Sequence, residues 1–153
     1  MSLTTVALDL EGTLISNAVS QLPRPGLHRF LVGCFERYDV LVFTAVREAR
    51  TRRIIDRLVA EGDVPAALGA APYVPWVGAH KDLRFLHALR PGLDIAQARL
   101  VDDLEEYVHP EQRHLWVPIR GWHAPYPQDD DELARVAAVL ENQGRPCQEA
   151  GAR

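Results

Sequence analysis

The amino-acid sequence predicts an α/β sandwich with a mainly parallel central sheet and minimal or no cap domain. Two observations support this prediction. Short β-branched runs alternate with segments whose apolar residues recur at helical spacing. Acidic or hydroxyl side chains follow three of these runs, and ligands collect beyond the carboxyl ends of parallel strands.

The first half of the chain predicts two strands, each followed by a helix. Residues 4–10 are β-branched and mostly apolar, as in a buried strand, and residues 12–26 form a proline-containing connection. Residues 27–38 have the spacing of an amphipathic helix, and residues 40–44 form the second strand. The next helix ends at Gly62, and its apolar face holds Ile54, Ile55, Leu58 and Val59.

The second half predicts two more strands and a final helix. Residues 63–80 are rich in Ala, Pro and Gly, and we expect at most a short strand at 73–77. Residues 81–89 are predicted to be helical, 99–101 a third strand, and 115–119 a fourth strand, for which Pro118 favours an edge or terminal position. Residues 129–142 form the last helix. We therefore expect one domain over residues 1–142 and a flexible tail over 143–153.

The composition is that of a single soluble globular domain. Of the 153 residues, 47% are hydrophobic and 25% charged. The lack of a long apolar run argues against a membrane span, and the N-terminus lacks the features of a secretory signal. The net charge of −4 gives no overall attraction to nucleic acid. Two cysteines, Cys34 and Cys147, suit the reducing cytoplasm.

Polar side chains follow three of the predicted strands. Asp9, Thr44 and the pair Asp102 and Asp103 stand at carboxyl ends, and Lys81 is predicted to open a helix. Because these strand ends meet at one edge of a parallel sheet, we expect the groups to converge. Lys81 is the only lysine among 17 basic residues, which is consistent either with a need for its compact charge or with chance retention.

Four carboxylates at one sheet edge repel one another unless a cation lies among them: Asp9, Glu11, Asp102 and Asp103. Oxygen ligands without nearby Cys or His favour Mg²⁺, which completes its shell with water and substrate phosphate. Lys81 and Thr44 would supply a positive charge and a hydroxyl donor to phosphoryl oxygens. Since an aspartate can form an aspartyl-phosphate, the pattern predicts phosphoryl transfer through Asp9.

Four segments resemble, in the right order, the motifs of the haloacid dehalogenase (HAD) superfamily: Val6 to Leu14, Thr44, Lys81, and Leu100 to Asp103. Within it the chain is most similar to the FCP/NLI-interacting-factor type of phosphatase. That similarity rests on Arg24-Pro25-Gly26-Leu27, Phe43-Thr44-Ala45, Lys81-Asp82-Leu83, Tyr107 to Glu111, Val117-Pro118-Ile119 and Gly121-Trp122. It covers residues 4 to about 142, and it implies a HAD-like Rossmannoid three-layer sandwich.

The resemblance also implies a role for each matched residue. Asp9 would be the nucleophile and a Mg²⁺ ligand. Glu11 would act as general acid and then base, and would give the metal a backbone carbonyl. Asp102 would be the second carboxylate ligand, and Asp103 would hold a metal-bound water or orient Lys81. The phosphoryl group would be bound by Thr44, Ala45 and Lys81.

Glu11 departs from most relatives, which have Asp at this position. The extra methylene moves the carboxyl about 1.3 Å outward, and a displacement of that size can cost ~10²-fold in rate. The enolase-phosphatase branch of the superfamily also has Asp-x-Glu-Gly-Thr. Glu11 therefore puts the rate of the reaction in question more than its chemistry.

The spacing of the motifs bears on the substrate. Only residues 45–80 separate Thr44 from Lys81, which leaves no room for a large cap, so we expect an open site. Open sites accept phosphate on bulky partners, and the resemblance implies phosphoserine or phosphothreonine in a protein. Residues 63–80, with Tyr73 and Trp76, are the predicted substrate-selecting segment.

Other interpretations stay open at this point. Each motif alone has a structural explanation, such as a turn at residues 9–13 or a helix start at Asp102. A phosphatase of a small metabolite and a non-catalytic HAD-like scaffold are the alternatives. A response-regulator receiver fits poorly because its acidic pair precedes the phospho-acceptor, whereas here the pair comes last.

Overall fold

The computed structural model describes residues 3–144, which form a four-stranded sheet between two layers of helices and loops. The strands are β1 (Thr5–Leu8), β2 (Asp39–Val42), β3 (Ala98–Asp102) and β4 (Trp116–Pro118). Their order is β2-β1-β3-β4, and every neighbouring pair is parallel. The predicted α/β fold class is confirmed, as is the edge position of Pro118.

The α-helices and the 3₁₀ helices lie mainly on opposite faces of the sheet. The α-helices are α1 (Leu27–Arg37), α2 (Glu48–Ala60), α3 (Ala67–Ala70) and α4 (Glu132–Gly144). Short 3₁₀ helices occupy Leu83–Ala88, Ile95–Gln97, Glu105–Tyr107 and Pro110–Leu115. In residues 3–144 these helices and their loops leave no separate cap domain. None of the described helices is long and apolar enough to cross a membrane.

Alternation along β1 divides the core between the two faces of the sheet. Val6 and Leu8 pack into the larger cluster with α1, α2 and α4, whereas Ala7 belongs to the cluster on the other face. Successive side chains of a strand point to opposite faces, so a strand buried on both sides is apolar throughout. All four residues of β1 are buried. The next residue, Asp9, is therefore also placed inside the protein.

Each edge strand is hydrogen-bonded on its outer side at its last residue. The Val42 amide donates to the Pro72 carbonyl at 2.9 Å, and the Val74 amide donates to the Val42 carbonyl at 2.9 Å. At the other edge, Arg135 donates to the carbonyl of Pro118, the last residue of β4, at 2.8 Å. The strand considered for residues 73–77 is only a single bridge beside β2, since the neighbouring prolines have no N–H to extend the ladder.

Two predicted helix starts differ from the structure. Lys81 does not open a helix: Asp82 caps a 3₁₀ helix that begins at Leu83, and the Lys81 amide donates to the Tyr107 carbonyl at 2.7 Å. Helix α4 begins at Glu132 rather than at residue 129, because Asp130 turns inward to pair with Arg24. The helix continues to Gly144, and the rest of the predicted tail, with Cys147, lies outside the described residues.

Candidate active site

Three adjacent strands bring the predicted polar residues to one edge of the sheet. Asp9 directly follows β1, Asp102 ends β3, and Thr44 lies two residues beyond β2. The sheet ladder continues past the strand ends, because the Asp9 amide donates to the Val101 carbonyl at 3.0 Å. The convergence expected from the sequence is therefore present for these residues.

Lys81 is the buried cation of the site. Its Nζ lies 2.9 Å from Asp9 Oδ1 and 2.5 Å from Asp102 Oδ2, and all three side chains are buried. The ring of Tyr107 lies 4.9 Å from the same ammonium group, a distance at which a ring face attracts a cation. Lys81 thus bridges the carboxylates that follow two neighbouring strands.

The Thr13 hydroxyl lies between the carboxylates of Asp9 and Asp103. Its oxygen lies 3.0 Å from Asp9 Oδ2 and 3.2 Å from Asp103 Oδ1, and the residue is fully buried. The sequence placed Thr13 inside the first motif but gave it no role. The signal available in the sequence was its position directly after Gly12, in the turn that follows β1.

The charges of this cluster do not balance, because three carboxylates face one ammonium group. Burial, together with a hydrogen bond and repulsion from Asp103, raises the pKa of Asp9 to about 7, although Lys81 acts in the opposite direction. Burial and the charge of Asp9 raise the pKa of Asp102 to about 6. Burial lowers the pKa of Lys81, but Asp9 and Asp102 outweigh it and the net direction is upward. The site therefore favours a further cation or bound protons.

The donor set fits a hard divalent cation. One oxygen each from Asp9, Asp102 and Asp103 can be chosen so that all lie within 4.8 Å of one another. Carboxylate oxygens are ligands that suit Mg²⁺. These residues are three of the four predicted to bind metal.

The loop after β2 is held by two aromatic side chains. Thr44 is buried, and its hydroxyl accepts from the Val46 amide at 3.1 Å. Trp76 donates its indole N–H to the Thr44 carbonyl at 2.9 Å, and Tyr73 donates to the Val46 carbonyl at 2.7 Å. Ala45, between these contacts, is exposed. Part of the predicted substrate-selecting segment thus supports the loop that carries Thr44 and Ala45.

The Glu11 carboxylate is held by a backbone amide outside the acidic cluster. Its Oε2 accepts from the Ala18 amide at 2.6 Å, which draws the carboxylate toward the loop after the first motif. The Ala18 carbonyl in turn accepts from Arg50 at 3.0 Å. The carboxylate of Glu11 is accordingly not one of the three that meet at the candidate metal centre in the described chain.

Two glycines pack against Asp103. Gly12 has a φ of +73°, and a Cβ at this position would overlap the Asp103 carboxylate. A Cβ on Gly121 would lie 3.1 Å from Asp103 Oδ2, tighter than ordinary contact. Neither glycine was a predicted site residue. The sequence does not show that a side chain there would collide with Asp103, because that depends on the fold.

A family model described as NLI interacting factor-like phosphatase matches residues 4–150. No curated protein matches the chain. The matched span contains every predicted site residue.

Proposed function

Because the chain belongs to the NLI interacting factor-like phosphatase family, we propose that this phosphoric monoester hydrolase works through an aspartyl-phosphate on Asp9 and depends on Mg²⁺. The observation that carries the proposal is the buried Asp9, 2.9 Å from Lys81 and grouped with Asp102 and Asp103. Family membership favours the enzyme over the scaffold alternative.

Asp9, Asp102 and Asp103 would hold the metal, and Glu11 would contribute its backbone carbonyl. When bound, Mg²⁺ offsets the negative charge of phosphate oxygens. Lys81 would neutralise the same oxygens, and the Thr44 hydroxyl and the Ala45 segment would hydrogen-bond them. Thr13 keeps the Asp9 carboxylate oriented during attack.

The reaction has two displacements at phosphorus. An oxygen of Asp9 forms a bond to phosphorus, the bond to the leaving alcohol breaks, and Glu11 gives that oxygen its proton. A water then loses a proton to Glu11 and attacks the same phosphorus, which breaks the bond to Asp9 and releases phosphate. Since Oε2 of Glu11 accepts from Ala18, we assign the proton transfers to Oε1.

The proposed substrate is a phosphate ester on a bulky partner, with phosphoserine or phosphothreonine in a protein as the first choice. The exposure of Ala45, Arg47 and Val77 around the loops near Thr44 supports this choice, because these loops leave room for a large substrate. The proposed location is the cytoplasm, where the buried Cys34 thiol stays reduced.

The test is hydrolysis of p-nitrophenyl phosphate with and without Mg²⁺ by the wild type, Asp9→Asn and Asp39→Asn. Asp39 begins β2 at the opposite end of the sheet, so it serves as a matched acidic control. We expect activity to require Mg²⁺ and Asp9 but not Asp39. A tryptic peptide containing Asp9 should gain one phosphoryl group that hydroxylamine removes.

Equal rates for the wild type and Asp9→Asn would contradict catalysis at Asp9. The substrate class is tested separately, by comparing kcat/KM for phosphoserine peptides and for small sugar phosphates. A preference for the sugar phosphates would favour the small-metabolite alternative.

A further inference from the structure

The buried guanidinium of Arg24 binds the carboxylate of Asp130 and the backbone carbonyls of Gly12, Thr13 and Arg120. We call this group of contacts the Arg24 clamp. The Arg24 side chain has no exposed surface, and that of Asp130 is 10% exposed. Neither side chain is used in the proposed reaction.

The guanidinium uses all five of its N–H donors within the clamp. Nε and Nη2 donate to the two oxygens of Asp130 at 2.8 and 3.0 Å. Nη1 donates to the carbonyls of Gly12 and Thr13 at 3.0 and 3.3 Å, and Nη2 donates to that of Arg120 at 2.6 Å. A lysine ammonium has three donors and lacks the planar fork, so it cannot reproduce this set.

The clamp joins three segments that are distant in sequence. The Gly12 and Thr13 carbonyls lie in the turn after β1, Arg24 lies just before α1, and Arg120 and Asp130 lie between β4 and α4. The Gly12 carbonyl also accepts from the Trp122 amide at 3.0 Å. The turn after β1 is therefore fixed to the segment between β4 and α4 from two directions.

Both segments held by the clamp contact the acidic centre. The Thr13 hydroxyl reaches Asp9 and Asp103, as described above. Gly121, next to the clamped Arg120, lies so close to Asp103 that a Cβ on it would be 3.1 Å from Oδ2. A shift of either segment would therefore displace Thr13 or Asp103. The effect would arise although no residue proposed to contact the substrate is substituted.

Burial of the Arg24–Asp130 pair is not in itself evidence that the pair stabilises the fold. Removing a guanidinium and a carboxylate from water costs free energy that their attraction often fails to exceed. The same two-pronged pairing occurs between Arg90 and Asp39, at 2.7 and 3.0 Å, where the side chains are 37% and 29% exposed. That pair involves the first residue of β2, away from the acidic centre, and provides a comparison within the same chain.

We propose that Arg24 and Asp130 are positioning residues, which hold Thr13 and Asp103 in the geometry that binds Mg²⁺ and promotes phosphoryl transfer. This inference rests on the proposed function for its catalytic part. A shift of about 1 Å in a catalytic group can cost ~10²-fold in rate. Loss of the clamp should therefore lower kcat more than it changes KM.

The experiment compares Asp130→Asn, Arg24→Lys and Arg24→Met with Arg90→Met. Thermal unfolding, kcat and KM for p-nitrophenyl phosphate, and calorimetric Mg²⁺ affinity are measured for each variant well below its Tm. We expect kcat to fall roughly 10- to 100-fold in the Arg24 and Asp130 variants, with KM within about threefold and Mg²⁺ affinity weakened several-fold. Arg90→Met should keep the wild-type kcat and Mg²⁺ affinity even where its Tm falls.

The clamp variants would overturn the inference if they lost thermal stability and kept the wild-type kcat and Mg²⁺ affinity. If the Arg24 variants fail to fold, Asp130→Asn decides, since it keeps both the guanidinium and the size of its partner. A wild type that binds Mg²⁺ without hydrolysing the ester contradicts the proposed function alone, and the Mg²⁺ affinities still decide the positioning role. A wild type without either property would overturn both.

Discussion

Gly12 lies directly against the carboxylate of Asp103, so closely that any side chain on residue 12 would displace it. Gly12 also has a φ of +73°, which L-residues rarely adopt. The backbone conformation and the close approach are separate reasons for a glycine. The chain allows them to be distinguished, because Gly62 has a φ of +77° with open space around its Cβ position.

We expect Gly62→Ala to lower the free energy of unfolding by about 1 kcal/mol, through backbone strain alone, and to keep full activity. Gly12→Ala should show the same strain and, in addition, weaken Mg²⁺ binding and lower kcat, because Asp103 must move. Urea denaturation and steady-state kinetics check both variants. Equal kinetics in the two would show that Asp103 need not stay where it is.

Glu11→Gln should separate proton transfer from the structural contact to Ala18. The amide oxygen of glutamine can still accept from the Ala18 amide, but the side chain cannot protonate a leaving group. We expect kcat/KM, which reports transfer to Asp9, to fall roughly 10²- to 10⁴-fold for an alkyl phosphate and much less for p-nitrophenyl phosphate, whose leaving group needs no proton. Hydrolysis of the aspartyl-phosphate should slow for both substrates, because the attacking water also gives its proton to Glu11. Glu36→Gln, an exposed change on α1, is the control, and similar losses of kcat/KM for both substrates would contradict the assigned role.

Removal of Mg²⁺ should make stability depend on pH through Asp9 and Asp102. The pKa of Asp9 is about 7 and that of Asp102 about 6, both above the ordinary value of 3.8. The folded chain then holds protons that the unfolded chain releases, so stability falls as pH rises from about 4 to about 7. Because carboxylate ligands must be deprotonated to bind a metal, we expect Mg²⁺ to raise the Tm more at pH 8 than at pH 5.

Thermal unfolding in EDTA and in Mg²⁺ at the two pH values tests this expectation. Asp9→Asn should reduce both the pH dependence in EDTA and the effect of Mg²⁺. An equal Tm increase at pH 5 and pH 8 in the wild type would argue against metal binding by these carboxylates.

Lys81→Met should destabilise the metal-free chain strongly, because Asp9 and Asp102 would be left buried without their cation. Breaking a buried pair in this way costs about 3–5 kcal/mol. Arg84→Met is the matched control: the Arg84 side chain is 60% exposed in its pair with Asp82, and solvent screens such a pair, so we expect a much smaller loss of stability. Urea denaturation in EDTA at pH 8 measures both, and comparable losses would contradict the account of Lys81 as a buried bridge.

The sequence was sufficient to predict the sheet and the residues at its carboxyl edge. Apolar runs bounded by Asp9, Thr44 and Asp102 identify strand ends, and parallel pairing makes those ends neighbours. The family resemblance linked the same residues to phosphate chemistry. Their assigned roles in metal and substrate binding stay predictions.

Contacts between distant segments could not be predicted in the same way. Asp130 was interpreted as part of a helix start because local sequence favours acids there, whereas its partner, Arg24, is 106 residues away in sequence. Lys81 was placed on a helix because its apolar neighbours have helical spacing, but an Asp82 cap and a bond to Tyr107 hold it outside. The direction of the Glu11 side chain depends on a loop conformation that residue types alone do not determine.

The way the sheet ends on both sides also affects how the protein behaves at high concentration. Unpaired strand edges are templates on which other molecules can add a strand and aggregate. Here residues 72–74 bond to β2, and the three-residue β4 ends in Pro118, whose carbonyl is already bonded to Arg135. These contacts and the shortness of β4 leave fewer unpaired backbone groups at which another molecule could add a strand.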